Sequence, residues 1–307
     1  MAHHLLIQLS DVHLTRAGEL APGVDPAANL ASALALMEDE GLAPDVVLVT
    51  GDLANEGDEP SYRDLAAALS ASRALMGATI LYVPGNHDRR GPFRTVLLGG
   101  APDGGPINQV VWHGGLRLVA LDSTVPGEDH GHLDDETIAF LADALADPAP
   151  EGSIVVLHHP PQPSPIAAMA ALRLANADGL ARAIEGTDVR AVVCGHYHHA
   201  GASRLGAVPV WTGPATSFVA DAAHTGEIRL LRGGAMTRID VDDEGVVASV
   251  IPVGAGRHGV GGRHRRGESA VRPARGAGRP RGYSGSWTTG TTRSSSRSGS
   301  TRWSPCA

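Results

Sequence analysis

The chain has 307 residues and 42% apolar content, enough for one large α/β domain or two smaller ones, and no uninterrupted apolar stretch approaches the length of a membrane span. The formal net charge of −8 hides a division: residues 1–253 carry 14 arginines against 32 acidic residues, whereas residues 254–307 carry 11 arginines against Glu268 alone, and lysine is absent throughout. The two cysteines, Cys194 and Cys306, exclude a disulfide framework, and Asp11 and His13 come too early to follow a secretory leader, so a cytoplasmic chain is expected.

The apolar run Leu5 to Leu9 predicts a first strand. Asp25-Pro26 reads as an N-cap with a first-turn proline, opening a helix over Ala27 to Glu40 that Gly41 ends. Strand Val46 to Val49, a helix from Glu59 to Met76, strand Ile80 to Val83 and strand Leu116 to Leu121 follow. Asp134 caps a helix whose Ile138, Leu141, Ala142 and Leu145 share one face. Strand Ile154 to Leu157 comes next, and Asp178 caps a short helix to Ile184 ahead of a strand ending at Val193. This alternation favours a sheet with parallel pairs and flanking helices. Beyond residue 200, Pro209 to Trp211, Ile228 to Leu231, Met236 to Val241 and Val246 to Ile251 read as short antiparallel strands. Residues 254–307 are rich in Gly, Ser, Arg and Thr and are expected to be a disordered tail, leaving 1–253 as the folded domain.

Five blocks closely follow predicted strands: Asp11-Val12-His13, Gly51-Asp52-Leu53, Gly85-Asn86-His87-Asp88, His158-His159-Pro160-Pro161 and Gly195-His196-Tyr197-His198. Singly, each has a plainer reading, since Asp after a strand is commonly a turn or cap residue and a lone His is commonly a core residue. Together they place oxygen and imidazole donors at the carboxyl ends of several strands, where an α/β sheet gathers its ligands. Mixed imidazole and carboxylate donors without thiolate suit Mn, Fe or Zn rather than Ca or a structural zinc. Two adjacent ions need a bridging carboxylate and hydroxide, and such a pair acidifies water and clamps a phosphoryl group.

The order of these blocks resembles the calcineurin-like metallophosphoesterase superfamily. Leu121-Asp122-Ser123-Thr124-Val125-Pro126-Gly127, His130-Gly131, Leu157 to Pro161 and Gly186-Thr187-Asp188-Val189-Arg190 are similar to the class III cyclic nucleotide phosphodiesterases of mycobacteria and related bacteria, over about Leu5 to Gly254. The resemblance implies an α/β fold, a four-layer αββα sandwich of two mixed β-sheets flanked by helices. It implies that Asp11, His13 and His198 hold a first metal, that Asn86, His158 and His196 hold a second, and that Asp52 bridges them. His158 is preferred to His159 because the family's ligand sits two positions before the proline matching Pro160. His87 is implied to protonate the leaving alkoxide or stabilise phosphoryl oxygens, with Asp88 orienting it. Glu128-Asp129-His130 departs from the family's histidine-rich loop, which removes the basis for assigning that loop a phosphate or base contact.

The expected activity is hydrolysis of 3′,5′-cyclic AMP, and of other small phosphodiesters, by attack of a metal-bridging hydroxide at two Fe or Mn ions, with Zn as the next choice. A glycerophosphodiesterase or phosphomonoesterase on the same scaffold is the alternative. A non-enzymatic interaction protein is disfavoured because all seven ligand positions and His87 are present. The expected partner is a cyclic nucleotide, a homodimer is left open, and no specific nucleic-acid binding is expected. The basic tail allows peripheral contact with an anionic membrane surface, or represents a frame-shifted extension. Arg89 and Arg90 are expected either to meet phosphate or to be solvated, and His130 and His132 to be exposed loop histidines, with lining of the pocket mouth as the alternative. His199 is left without a partner, and His3 and His4 are read as incidental.

Overall fold

The computed structural model describes residues 2–254. β1 (His4–Leu9), α1 (Pro26–Asp39), β2 (Val46–Thr50), α2 (Glu59–Ala71) and β3 (Thr79–Val83) alternate, and the three strands run parallel. α3 (Arg90–Leu97) leads to β4 (Gln109–His113), β5 (Leu116–Leu121), α4 (Asp135–Ala144), β6 (Ser153–Leu157), α5 (Ala177–Ile184) and β7 (Val189–Cys194). A hairpin of β8 (Gly201–Leu205) and β9 (Val208–Thr212) follows, then the two-residue strands β10 (Val219–Ala220) and β11 (Leu230–Leu231). β12 (Ala235–Val241) and β13 (Val246–Pro252) return to the first sheet, whose order is β13-β12-β1-β2-β3; the second sheet is β4-β5-β6-β7-β9-β8.

Central strands such as Val46-Val47-Leu48-Val49-Thr50 are buried on both faces because each face meets a different apolar layer. Alternate residues divide between those layers. Leu6, Leu48 and Leu81 meet Leu118, Ile154 and Val156 between the sheets. Ile7, Val47 and Val49 turn outward onto Leu30 and Met37 of α1 and Tyr62 and Leu65 of α2. Val119, Val155 and Leu157 turn the other way onto Leu141 of α4 and Leu180 of α5. This is the expected four-layer αββα sandwich. Truncating a side chain in the middle layer, such as Leu48→Ala, costs about 2–5 kcal/mol.

The caps at Asp25 and Asp134 match the sequence reading: Asp25 Oδ1 accepts Ala28 N–H at 3.0 Å and Asp134 Oδ1 accepts Thr137 N–H at 2.8 Å. Each contributes about 1 kcal/mol. Other expectations need correction. α2 ends at Ala71 rather than Met76, because the chain tightens into a 3₁₀ turn over Arg73–Leu75 before Gly77 at φ +88°. Asp178 lies inside the first turn of α5, and Asn176 occupies the cap position. The expected strand Ile228 to Leu231 shrinks to Leu230–Leu231, and the late strands are not uniformly antiparallel, since β9 runs parallel to β7. Apart from Gly254, the arginine-rich segment 254–307 lies outside the described residues. Among the described residues no helix is long and apolar enough to cross a membrane.

The carboxyl ends of β1, β2, β3, β6 and β7 meet at one edge, where backbone bonds join their loops. Asp11 N–H donates to Gly51 C=O at 3.1 Å, His13 N–H to Asp52 C=O at 2.8 Å and Gly195 N–H to His158 C=O at 2.9 Å. Buried Gln8 ties the sheets beneath that edge, its Nε2 donating to Thr50 Oγ1 and to Cys194 C=O, each at 2.8 Å.

Candidate metal centre

Backbone conformation marks this edge before any side chain is considered. Among the described residues, the non-glycine positions with positive φ are Asp11 (50°), His13 (49°), Asp52 (52°), His196 (71°) and His198 (55°). Each costs about 1–3 kcal/mol relative to an ordinary conformation. All five come from the donor-bearing blocks. Close packing fixes the loops, since a Cβ on Gly51 would lie 2.0 Å from His158 Nδ1 and one on Gly85 would lie 2.3 Å from the Asp52 carboxylate.

The structure brings the seven expected ligand residues together in two groups. In the first, His13 Nε2 is 3.1 Å from His198 Nε2 and 3.5 Å from Asp52 Oδ2, and His198 Nε2 is 3.4 Å from Asp11 Oδ1. In the second, His158 Nε2 is 3.2 Å from Asn86 Oδ1, 3.2 Å from His196 Nδ1 and 3.5 Å from Asp52 Oδ2. Asp52 Oδ2 therefore stands at one distance from an imidazole of each group. Asp11, His13, Asp52, His158, His196 and His198 are all buried, while Asn86 and His87 are partly exposed.

Hydrogen bonds on the far side of the rings fix their tautomers. Thr50 C=O faces His158 Nδ1 at 2.9 Å, Phe218 C=O faces His198 Nδ1 at 3.3 Å and Asn55 Oδ1 faces His13 Nδ1 at 3.2 Å. With the Asn55 carbonyl oxygen so placed, each of these oxygens accepts and each Nδ1 carries a proton, which leaves Nε2 of His13 and His198 with a bare lone pair, whereas metal-free His158 is protonated at Nε2 as well. His13 and His198 then oppose two lone pairs across 3.1 Å, while His158 holds its Nε2 proton against Asn86 Oδ1 and Asp52 Oδ2 until an ion displaces it. A cation between His13 and His198 would relieve that repulsion. Donors held about 2.1 Å from a common ion at right angles stand about 3 Å apart, close to the separations seen. The residues fit a pair of divalent metals, and the outer carbonyl partners are those that orient metal-bound histidines.

The titration behaviour shows the same strain. Burial alone would raise the Asp52 carboxyl, but His158, His87 and His13 outweigh it and hold Asp52 well below the usual carboxylate range. Burial works against the charged form of His158 too, yet Asp52 and Asp11 raise it to about 9. Burial raises Asp11. His196 and His198 fall to about 3, through burial assisted by neighbouring imidazoles.

His87 lies beside the first group, its ring centroid 4.7 Å from that of His13. Its backbone N–H donates to Asp52 Oδ1 at 2.9 Å. The expected orienting contact from Asp88 is absent. The Asn55 carbonyl accepts from His87 Nδ1 at 2.8 Å instead, while the Asp88 carboxylate accepts from Leu53 N, Ala54 N, Gly85 N and Tyr62 O–H. Asp88 is therefore a positioning residue that ties the Asp52 and Asn86 loops together. Burial opposes charge on His87, but Asp52 and the Asn55 carbonyl raise its pKa, whereas burial and Asp52 raise that of Asp88 to about 6.

Asn55, which serves both His13 and His87, carried no signal in the sequence. His159 did, as half of a doublet: one donor atom from each of His158, His159 and His196 lies within 4.8 Å of the others. Its Nδ1 is tethered to Ser123 Oγ at 2.8 Å. Arg90 is committed to structure, bonding Asp122, Gly104 C=O and Thr124 C=O, so it is neither a free phosphate ligand nor solvated. His199 has partners in Ser164 Oγ and Ala200 C=O. His132 is exposed, and Asp129 of the divergent loop reaches the rim, its Oδ1 3.5 Å from Asn86 Nδ2.

The family model described as calcineurin-like phosphoesterase matches residues 4–200. A Mycobacterium tuberculosis protein named as a cAMP/cGMP dual specificity phosphodiesterase is 37% identical over 256 residues, covering 82% of this chain and 80% of its own length. A Rhodococcus erythropolis protein named as a probable cyclic nucleotide phosphodiesterase is 35% identical over 260 residues, covering 82% of this chain and 84% of its own. Among solved structures, a dimetal phosphatase from Danio rerio superposes with a TM-score of 0.56 at 14% identity, covering 81% of this chain and 99% of that one, a likeness of fold alone.

Proposed function

The chain belongs to the calcineurin-like phosphoesterase family, and from that premise we propose that it is a dinuclear metal-dependent phosphodiesterase that hydrolyses 3′,5′-cyclic AMP, with cyclic GMP and other small phosphodiesters as further substrates. The observation that carries this reading is the position of Asp52, whose Oδ2 is 3.5 Å from both His13 Nε2 and His158 Nε2 and so serves two donor groups at once. Asp11, His13 and His198 would hold one ion, Asn86, His158 and His196 the other, and Asp52 would serve both.

Bound there, two divalent ions supply the positive charge that acidifies water and polarises phosphoryl oxygens. The chain does the rest. His87 keeps its Nδ1 proton on the Asn55 carbonyl, leaving Nε2 as the nitrogen that exchanges a proton with substrate. The carboxylate of Asp52 favours the charged ring, so His87 delivers that proton to the departing ribose oxygen. Asp88 holds the backbone of both flanking loops in register. Four imidazoles favour Mn or Fe, then Zn, over Mg, which prefers oxygen donors and retains water.

The test is turnover of cyclic AMP, cyclic GMP, bis(p-nitrophenyl) phosphate and a glycerophosphodiester by chelator-stripped full-length chain resupplied with Mn²⁺, Fe²⁺, Zn²⁺ or Mg²⁺. Activity should vanish on stripping and return first with Mn²⁺ or Fe²⁺, with cyclic nucleotide turned over. Full activity after prolonged chelation removes the dinuclear reading; restored activity on the glycerophosphodiester alone moves the substrate to that class.

A further inference from the structure

His4 is not incidental. It opens β1, is 1% exposed, and lies at the amino-terminal edge of the sheets, opposite the catalytic loops. His113 comes to the same place from the end of β4, Asp45 from just before β2 and Glu151 from just before β6, so both sheets contribute.

The hydrogen bonds give the group its chemistry. Glu151 Oε2 accepts from His4 Nε2 at 2.7 Å, so Nε2 carries the proton and Nδ1 presents a lone pair. That lone pair faces His113 Nδ1 at 2.9 Å. Glu151 is itself fixed, accepting from Ala2 N at 2.8 Å and Gly115 N at 3.1 Å. Asp45 Oδ2 accepts Leu5 N–H at 2.8 Å while its Oδ1 stands 3.7 Å from His113 Nε2. With the His113 proton on Nε2, toward Asp45, its Nδ1 lone pair opposes that of His4 across 2.9 Å, and a cation shared by the two nitrogens relieves the repulsion. One donor atom from each of His4, Asp45 and His113 lies within 4.8 Å of the other two.

We propose that His4, His113 and Asp45 form a third metal site, taking a zinc-class divalent ion that ties the two sheets together at the edge remote from catalysis. Two imidazoles, one carboxylate and a water complete a tetrahedral set, and no thiolate is needed. Glu151 behind His4 is the carboxylate that orients a metal-bound imidazole. His113 and Asp45 are each 35% exposed at the side chain, which gives the ion a way in and gives both side chains room to close on it.

The test uses the full-length chain, stripped by chelator, equilibrated with Zn²⁺, desalted and assayed for bound metal. The wild type should hold about one more ion per chain than either His113→Gln or Asp45→Asn, and turnover should be the same in all three. The difference between wild type and variant is the readout, so it stands whether or not the catalytic edge holds two ions. Equal metal content in folded wild type and variants overturns the proposal and leaves a hydrogen-bonded clasp. A second measurement needs no variant: carbethoxylation of His113, followed by mass spectrometry in the wild type, should fall at least several-fold when Zn²⁺ is added. Unchanged labelling overturns the site.

Discussion

His87 donates Nδ1–H to the backbone carbonyl of Asn55 across 2.8 Å, and this bond fixes which nitrogen of the ring faces the substrate edge. Asn55 also meets His13 through its side chain at 3.2 Å, so one residue orients both a ring of the proposed metal centre and the ring assigned to proton transfer.

Replacing His87 with alanine should leave metal content nearly intact and lower kcat by about 10²- to 10⁴-fold for cyclic AMP. A p-nitrophenolate leaving group needs little protonation, so its loss should be much smaller. Equal losses on both substrates would show that His87 binds phosphate and transfers no proton.

Asp52→Ala should lower the metal content of the catalytic edge more than any other single carboxylate change there, because both donor groups share its Oδ2. Asn86→Ala should empty the second position while leaving the first filled. Both are read by metal analysis of desalted protein, and undiminished metal in purified Asp52→Ala contradicts the bridging role.

Metal affinity should rise with pH. In the metal-free protein His158 is raised to about 9 and must lose its proton before its Nε2 can bind. Below that range affinity should fall by about tenfold per pH unit for each proton displaced. Stability of the metal-free protein should run the other way. Because the folded pKa of His158 lies above its unfolded value, its contribution is fully present below about pH 6.5 and is lost as pH rises through about 9. Calorimetric titration in two buffers of different ionisation heat reads the released proton, and urea unfolding of stripped protein between pH 6 and 9.5 reads the stability. The His158→Gln variant should lose this His158-dependent component of the slope.

Asp88→Asn should destabilise the protein by about 1–3 kcal/mol, since an amide nitrogen is turned toward a cluster of hydrogen-bond donors. Tyr62→Phe, which removes one of those donors at 2.9 Å, should cost about 1 kcal/mol. Urea denaturation of the three proteins measures both. If Asp88 instead acted on the His87 proton directly, its variant would change the pH–rate profile without changing stability.

Residues 1–253 alone should match the full chain in melting temperature and cyclic AMP turnover, because Val253, just past β13, is the last buried residue among those described and every proposed catalytic ligand precedes residue 200. The full chain should in addition adhere to anionic vesicles at low salt and release as the Debye length shortens. A large fall in either property on truncation would assign residues 254–307 to the folded domain.

The sandwich was legible because its central strands are continuous runs such as Val46 to Val49 and Leu116 to Leu121, buried on both faces and bounded by turn residues. The donors were legible because they follow those runs at once. What escaped had weaker local signals. α3 begins Arg90-Gly91-Pro92, which reads as a turn, and is held in place by Phe93 packing beneath α2. β4 is an edge strand with partial exposure along its length. Asp88, which the resemblance implied as the group orienting His87, turns its carboxylate back toward Leu53 and Ala54, a placement the sequence does not mark. Asn55 and the carbonyls of Thr50 and Phe218 act through backbone placement or side-chain orientation that no residue type announces.

Three of the five left-handed donor positions set this protein's chemistry against its own durability. Asparagine or glycine at His13, His196 or His198 would relax a backbone that the surrounding packing keeps in place, whereas at Asp11 and Asp52 that gain is offset by loss of the carboxylates that pair with His158. Mutagenesis screened solely for heat resistance, in chelator, should therefore enrich changes at the three histidines ahead of the rest of the domain and return sturdy proteins with no turnover. Tolerance to heating in the absence of metal and catalytic competence are opposing demands on the peptide units of His13, His196 and His198.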